Sequence, residues 1–364
     1  MRKQFKSKLT SGFIVMTLAL FATGCSNDEG SVFETPTEPE QENPENPEET
    51  PDAPEVATLI FIEATPADNI ITAEASGEVG TNVEGRVIFT STETTQRRMY
   101  ITQNISGSGD MPFNVLEIDD PNLKDETKGD GSIDLDGSNQ KDIDFTFELP
   151  VPDIDNGEIV YTFWTTTGKG DFRDASKRLA LGVGTITVTV GDGTNPAAEV
   201  RAFTDIKLNA PAEDGTTKSF FSLLNETVYR IDEGREFRAF WDFGYYYKDN
   251  QASFASTANY DAAFGFPVEG LKPDADEVNA ATETLNNMFF AESSLDADGF
   301  DGVLLSGDLN NIASSDVEDI DGLAVGDVIE FVDNYGKKGL IKITAIDPGF
   351  SVVNSITFDV KVQP

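Results

Sequence analysis

Between residues 57 and 191, apolar and polar side chains alternate in short runs separated by glycine, asparagine and aspartate. In Asp142–Leu149 every second residue from Ile143 onward is apolar, and Gly184–Val190 follows the same period. A period of two predicts strands with one buried face. Similar but shorter runs predict further strands at Thr58–Glu63, Ile70–Ala75, Gly85–Ser91, Met99–Gln103 and Glu158–Thr166.

About seven strands in roughly 135 residues favour a two-sheet β-sandwich for residues 57–191. Asp155, Gly157, Tyr161 and Phe163, followed by a closing TITVTV strand, resemble the last two strands of an immunoglobulin-like domain. The resemblance implies an architecture and no particular function. Turn residues without periodicity in Gly191–Glu199 predict a linker after it.

The pattern changes in residues 200–364, where strands mix with at least one helix. Asp274–Asn287 follows a proline, opens with three acids and has apolar residues at helical spacing. Three alternating runs at the end are joined by short loops, which predicts a meander of antiparallel strands. They are Asp327–Val332, Gly339–Ile346 and Ser355–Val362. The fold class is therefore mostly β: an N-terminal immunoglobulin-like β-sandwich followed by an α+β domain with an antiparallel C-terminal meander.

Residues 1–24 have the pattern of a secretory signal peptide, with basic residues followed by the apolar run Gly12–Ala22. About 11 apolar residues are too few to span a bilayer, which requires roughly 20 in a helix. The sequence Ala22–Cys25 resembles the lipobox of bacterial lipoproteins, which implies acylation of Cys25, with palmitate among the chains. Two or three acyl chains would anchor the protein stably, whereas one would not.

Residues 25–56 differ in composition from the rest of the chain. After Cys25 they contain many acids and prolines but no lysine or arginine, so they are expected to be a disordered, solvated linker. The start Ser26–Glu29 is similar to the acidic signal that exports Bacteroidota lipoproteins to the outer face of the outer membrane. This similarity predicts a lipid-anchored protein that faces the cell exterior.

The C-terminal part carries a second resemblance. KSFFSLLNETVYRI, AFWDFGYYY, LAVGDVIEFVDNYGKKGLIKITAI and SITFDVKVQP are similar to a domain that recurs in Bacteroidota surface lipoproteins of unknown function. The likeness extends over nearly all of residues 200–364. It implies a location but no reaction, substrate or catalytic residue.

Charge and composition exclude several classes of function. The chain has 26 basic and 65 acidic residues, a net charge of −39, which repels phosphate backbones and makes nucleic acid an unsuitable partner. It has no histidine and one cysteine, Cys25. Nucleophilic mechanisms that use a histidine and zinc sites built from histidine and cysteine are therefore excluded. We predict that the protein is not an enzyme.

Aromatic residues are concentrated in Phe237–Lys248, where strand alternation would place Trp241, Tyr245 and Tyr247 on one face. Such a face could stack on the apolar side of a sugar ring. The preferred interpretation is a central strand buried on both sides, because aromatic residues dominate protein cores. Trp164 is a second stacking candidate, and it could equally pack inside the sandwich.

The turn LDADGFDG brings Asp296, Asp298 and Asp301 close together around glycines. Calcium prefers several oxygen ligands, so these acids are a candidate structural calcium site. The spacing does not match a twelve-residue EF-hand loop, and a solvated turn explains the same residues. No other cofactor is expected.

Taken together, the sequence predicts a cell-surface lipoprotein with a non-catalytic binding or scaffold role, attached to the membrane by its lipid and with a glycan or a surface protein as partner. Two alternatives stay open. One is a glycan-binding component of a nutrient-uptake complex. The other is a carboxylate-dependent glycosidase, which requires two acids about 5 to 9.5 Å apart in a cleft.

Overall fold

The structure is a computed structural model that describes residues 56–62, 70–115, 121–135, 141–174, 182–272, 284–348 and 354–364. These residues all belong to one compact unit, Pro51–Pro364. The predicted signal peptide, Cys25 and almost all of the predicted linker lie outside the described residues. The unit is mostly β, as predicted.

The described residues up to 190 form two sheets. Sheet I has the strand order β1-β3-β7, and sheet II has the order β2-β9-β8-β4-β5, with β6 also paired to β4. The pairs β1–β3 and β2–β9 are parallel and the others are antiparallel. The elements are β1 (Ala57–Ile62), β2 (Ile70–Ser76), β3 (Asn82–Thr90), β4 (Arg98–Ile105), β5 (Met111–Pro112), α1 (Pro121–Glu126), β6 (Ile133–Asp134), β7 (Asp142–Pro150), β8 (Gly157–Thr166) and β9 (Val183–Val190).

Sheets I and II share one core. Side chains such as Phe89 and Phe147 of sheet I, and Tyr161 and Val188 of sheet II, belong to the same buried cluster. The alternation in β7 and β9 is confirmed, because their apolar positions are buried or half-buried and the positions between them are more exposed. The sandwich prediction agrees with this packing, while its immunoglobulin-like assignment stays a prediction.

From residue 201 onward the chain forms two further sheets. Sheet III has the order β12-β11-β13-β14-β16, and sheet IV has the order β10-β19-β18-β17-β15, both wholly antiparallel. The strands are β10 (Arg201–Asn209), β11 (Lys218–Phe221), β12 (Val228–Arg230), β13 (Phe243–Lys248), β14 (Gln251–Ser256), β15 (Met288–Glu292), β16 (Asp319–Leu323), β17 (Val328–Asp333), β18 (Lys338–Asp347) and β19 (Ser355–Val362). The helices are α2 (Tyr260–Phe264) and α3 (Ala297–Asp301), with 3-10 turns at Ile231–Glu233, Arg235–Phe240 and Ser306–Leu309.

The predicted meander is confirmed, because β17, β18 and β19 are consecutive neighbours in sheet IV. The helix predicted at Asp274–Asn287 falls mostly outside the described residues, and 284–287 have no regular secondary structure. Among the described strands, no sheet combines strands from both sides of the predicted linker Gly191–Glu199. The division into domains at that linker stays a prediction.

The two halves nevertheless share a buried cluster, here called the junction core. It joins Tyr100, Trp164 and Phe172 of the first half to residues such as Phe240 and Trp241 of the second. The rings of Phe172 and Phe240 are 6.0 Å apart between centroids. Sheet II is therefore covered on both faces around β8, with Tyr161 and Phe163 in one core and Trp164 in the other.

Candidate functional site

A buried ion pair crosses the boundary between the two halves. Arg173, in the segment after β8, donates from Nη1 to Oδ1 of Asp242 at 2.7 Å, and Oδ2 of Asp242 accepts from the backbone N–H of Leu223 at 2.6 Å. The side chains of Arg173 and Asp242 are only 11% and 1% exposed. Short charge-assisted bonds of this kind are among the stronger hydrogen bonds in proteins. They hold the first half against the segment that follows β11 and against the residue that precedes β13.

Arg173 also organises the residues around it. Its Nη2 donates to the carbonyl oxygen of Ala239, and its guanidinium lies 4.6 Å from the ring centroid of Tyr335. The Tyr335 hydroxyl donates to Oδ1 of Asn286 at 3.2 Å, and Nδ2 of Asn286 donates to the carbonyl oxygens of Ala239 and Trp241. This network fixes the positions of Arg173 and Tyr335.

Burial disfavours the charged form of both members of the ion pair. It opposes ionisation of Arg173, but the charge and hydrogen bond of Asp242, together with Tyr335 and the charge of Asp171, outweigh burial and raise the pKa of Arg173 above that of a free guanidinium. Burial raises the pKa of Asp242, while the charge of Arg173 acts in the opposite direction. Arg173 is therefore a fixed positive charge whose main partner lies inside the protein.

Beside this pair lies a cleft of about 390 Å³, bounded by residues from both halves. Small-molecule sites commonly have volumes of about 300–1,000 Å³ and combine apolar walls with a few convergent polar groups. The cleft has that character. Its basic side chains are Arg173, Arg201 and Lys337, its acidic side chains are Asp110 and Asp333, and its apolar wall includes Phe172, Leu223 and Leu224.

Arg201, the first residue of β10, is the second guanidinium on the cleft wall, and its side chain is 13% exposed. Its Nη2 donates to the carbonyl oxygen of Leu224 at 3.0 Å and lies 3.5 Å from a carboxylate oxygen of Glu226. The guanidinium also lies over the ring of Phe203. Burial lowers the pKa of Arg201, and the positive charge of Arg173 adds to that effect.

Asp333 ends β17 at the start of the hairpin to β18, and it is 6% exposed. Its Oδ1 accepts from the backbone N–H groups of Tyr335 and Lys337, each at 2.8 Å. Burial, and then the negative charge of Asp242, raise the pKa of Asp333 to about 6. The pKa of this carboxyl group on the cleft wall is therefore well above its ordinary value.

The prediction of an exposed aromatic face that stacks on sugar rings is wrong. Trp164, Trp241 and Tyr245 have no exposed surface, and Tyr247 is half-buried. A sugar ring has no access to the three buried side chains in this conformation. The preferred interpretation, a strand buried on both faces, is confirmed for Phe243–Tyr246.

The assumed alternation fails because the chain is not a strand throughout Phe237–Lys248. Residues up to Phe240 form a 3-10 turn, and β13 begins only at Phe243. Trp241 consequently packs in the junction core, where its ring stacks on Phe220 at 5.4 Å, whereas Tyr245 packs in the core between sheets III and IV. Trp164 also joins the junction core, stacked on Tyr100.

The candidate calcium ligands have other roles in this structure. Oδ1 of Asp296 caps α3 by accepting from the N–H of Gly299 at 2.9 Å, and Asp301 pairs with Lys342 at 2.7 Å. That bond holds the pKa of Asp301 below its ordinary value. Asp298 lies in the first turn of α3. Across the described part of the chain, no three histidine, cysteine or acidic side chains come together in a way that could hold a metal ion.

Sequence reasoning missed the residues that form the cleft. Arg173, Arg201 and Asp333 belong to no recognisable motif and are far apart along the chain. A signal was present at Asp242, because an acid between Trp241 and Phe243 in an aromatic run requires a partner when the run is buried. Nothing in the sequence identifies that partner as Arg173, 69 residues earlier.

Comparisons with known proteins give little further information. No model of a protein family matches the chain, and no curated protein matches it. Among solved structures, part of the chain is similar to Na-dithionite-reduced auracyanin from the photosynthetic bacterium Roseiflexus castenholzii. The identity is 18% and the TM-score is 0.19, over 37% of this chain and 98% of that one. A likeness this weak carries no argument about function.

One further finding concerns the membrane. Within the described ranges, no helix combines the length and the apolar character that a membrane crossing requires.

Replacing Trp241 with alanine tests whether this side chain belongs to the core. We expect Trp241→Ala to lower the free energy of unfolding by about 3–5 kcal/mol, because it leaves a cavity among packed rings. Urea denaturation followed by circular dichroism measures the change. Phe266→Ala is the matched control, since Phe266 is 61% exposed and its loss should change stability little. Equal stability of both variants would contradict the core assignment.

Replacing Asp333 with asparagine tests its raised pKa. Between about pH 4 and pH 6 the native state retains a proton that the unfolded state releases, so this group makes stability fall as pH rises through that window. Asp333→Asn should therefore raise the free energy of unfolding at pH 7.5, by roughly 2–3 kcal/mol at most, and raise it by clearly less at pH 4.5. Denaturant titrations at both pH values measure the change in the free energy of unfolding.

Asp144→Asn is the control for that experiment. Asp144 is exposed and its pKa is lowered by a hydrogen bond from Arg86, so its replacement should give no gain at either pH. A gain of the same size at both pH values for Asp333→Asn would contradict the titration argument.

Proposed function

We propose that the chain is a cell-surface lipoprotein with a non-catalytic binding role, and that the cleft beside the Arg173–Asp242 pair is its ligand site. The single observation that carries the binding role is this cleft of about 390 Å³, where charged side chains from both halves converge on an apolar wall. Hydrogen bonds hold Arg173, Tyr335 and Asp333 in place before any ligand arrives. Such preorganisation reduces the entropic cost of binding.

The proposed location rests on the sequence. The signal pattern in residues 1–24, the lipobox that ends at Cys25 and the acidic start Ser26–Glu29 support acylation and display outside the cell. The acidic, proline-rich linker would hold the folded unit away from the lipid.

A second candidate function comes from the two acids in the cleft. Asp110 and Asp333 both line it, and a carboxyl group with a pKa of about 6 has the protonation behaviour of a general acid. This pair supports a carboxylate-dependent glycosidase as the alternative. The predicted glycan platform no longer supports a stacking lectin, because Trp164, Trp241 and Tyr245 are buried.

Removing the thiol tests the anchor. We expect Cys25→Ala to abolish incorporation of radiolabelled palmitate and to move the protein from the membrane fraction to the soluble fraction, because no acyl chain can attach. Ser31→Ala, in the linker beyond the lipobox, is the control and should remain labelled and membrane-bound. A Cys25→Ala protein that stays in the membrane fraction would contradict a lipid anchor at this residue.

A panel of small molecules tests the binding role. The full-length protein, extracted in detergent, is heated with neutral, cationic and anionic compounds at several concentrations. A ligand that binds only the native state at 100 times its Kd should stabilise it by about 2.7 kcal/mol and raise its melting temperature. A crystal structure with the best compound should place that compound in the cleft.

The same panel separates the two candidate functions. The binding proposal would be contradicted if no compound, whatever its charge, raised the melting temperature. It would also be contradicted if the best compound bound outside the cleft. Hydrolysis of nitrophenyl glycosides by the wild-type protein, with loss of turnover in Asp333→Asn, would favour the glycosidase instead.

A further inference from the structure

We infer that the cleft takes a small ligand bearing a carboxylate, and that Arg201 binds that group. The inference rests on the proposed binding function and specifies the ligand's chemical class. It starts from a difference between the two guanidinium groups on the wall. Arg173 has an internal carboxylate partner, Asp242, at 2.7 Å, whereas the described carboxylate that pairs with Arg201, Glu226, is 47% exposed and 3.5 Å away.

The contacts of Arg201 leave most of its donors free. Its hydrogen bond to Leu224 and its contact with Glu226 both use Nη2. Neither Nη1 nor Nε of Arg201 forms a hydrogen bond with any residue in the described ranges. A guanidinium has five N–H donors arranged as a planar fork, and that fork matches the two oxygens of a carboxylate. Arg201 therefore offers a donor set on the cleft wall that the protein does not use.

The charge of Arg201 is also poorly compensated. Its acidic neighbour Glu226 is 47% exposed and 3.5 Å away, so solvent screens much of that attraction. Asp242 attracts Arg201, but its two oxygens are bonded to Arg173 and Leu223, and Arg173 repels Arg201. Arg201 is itself mostly buried. Burying a charge is costly unless it is paired. A ligand carboxylate would pair with the Arg201 guanidinium, and the pairing would be strong because that guanidinium is mostly buried.

The acids of the cleft are less suited to bind a cation. Oδ1 of Asp333 already accepts two backbone hydrogen bonds, and Oδ1 of Asp110 accepts one from Nδ2 of Asn104 at 2.9 Å. A doubly charged phosphate would meet these two acids within a chain of net charge −39. A singly charged carboxylate meets less repulsion and uses the same fork. The apolar wall formed by Phe172, Leu223 and Leu224 can cover the rest of the ligand.

Matched pairs of compounds test the inference on the full-length protein in detergent. Benzoate is compared with benzamide, and glucuronate with glucose, by isothermal titration calorimetry at pH 7.5. In each pair the carboxylate should bind at least 10-fold more tightly than its neutral counterpart, because only the charged group pairs with Arg201. Inorganic phosphate is the third arm, and it should bind more weakly than the better carboxylate.

Variants of Arg201 test whether this residue causes the difference in affinity between the carboxylate and its neutral counterpart. Arg201→Gln should weaken binding of the better carboxylate at least 10-fold and leave binding of the neutral compound unchanged. Arg201→Lys keeps the charge but loses the fork, so it should weaken binding by a smaller factor and serves as the second variant if Arg201→Gln does not fold. Arg86→Gln is the matched control, since Arg86 is an exposed arginine of sheet I paired with Asp144 and does not line the cleft.

The outcomes distinguish the inference from the function on which it rests. Neutral or cationic compounds that bind in the cleft while both carboxylates do not would overturn the carboxylate inference and leave the binding role intact. Phosphate that binds more tightly than both carboxylates, or equal carboxylate affinity in wild type and both Arg201 variants, would also overturn it. If no compound of any class binds, the proposed function fails together with the inference.

Discussion

The contact between Arg173 and Asp242 is the interaction on which the arrangement of the described residues depends most. It brings a guanidinium from the first half into the interior of the second, where Asp242 also accepts a hydrogen bond from Leu223. Removing one member of such a buried pair leaves the other charge without compensation and typically costs about 3–5 kcal/mol. The pair therefore opposes any rearrangement that separates the two halves.

The rings around this pair provide the hydrophobic part of the same interface. Trp164 and Phe172 of the first half and Phe240 and Trp241 of the second exclude water from the junction core. Low local polarity strengthens the electrostatic attraction between Arg173 and Asp242. The ion pair in turn selects one relative position of the halves, which packing of apolar rings alone specifies less sharply. Packing and charge pairing thus stabilise one another.

The cleft is a consequence of that geometry. The charge of Arg173 is paired with Asp242 inside the protein. Tyr335 is held beside Arg173 by the contact between its ring and the guanidinium and by its own hydrogen bond to Asn286. Arg201 lies on the same wall without an equivalent buried partner. Asp333 is also buried at this cleft, and burial raises its pKa to about 6. The positions and charges of Arg173, Arg201 and Asp333 all depend on contacts between distant parts of the chain, and all three residues line the cleft proposed to bind a ligand.

Local alternation was enough to predict strands such as β7, because Ile143, Phe147 and Leu149 follow a period of two and are buried. The sequence also predicted the C-terminal meander, since short loops leave consecutive strands few choices of neighbour. That Trp164 and Trp241 are core residues follows from tertiary packing, because local periodicity predicts the face of a strand on which a side chain lies but not what covers that face. The cleft was likewise beyond sequence reasoning, since Arg173 and Asp242 meet through the packing of the two halves and not through any spacing along the chain.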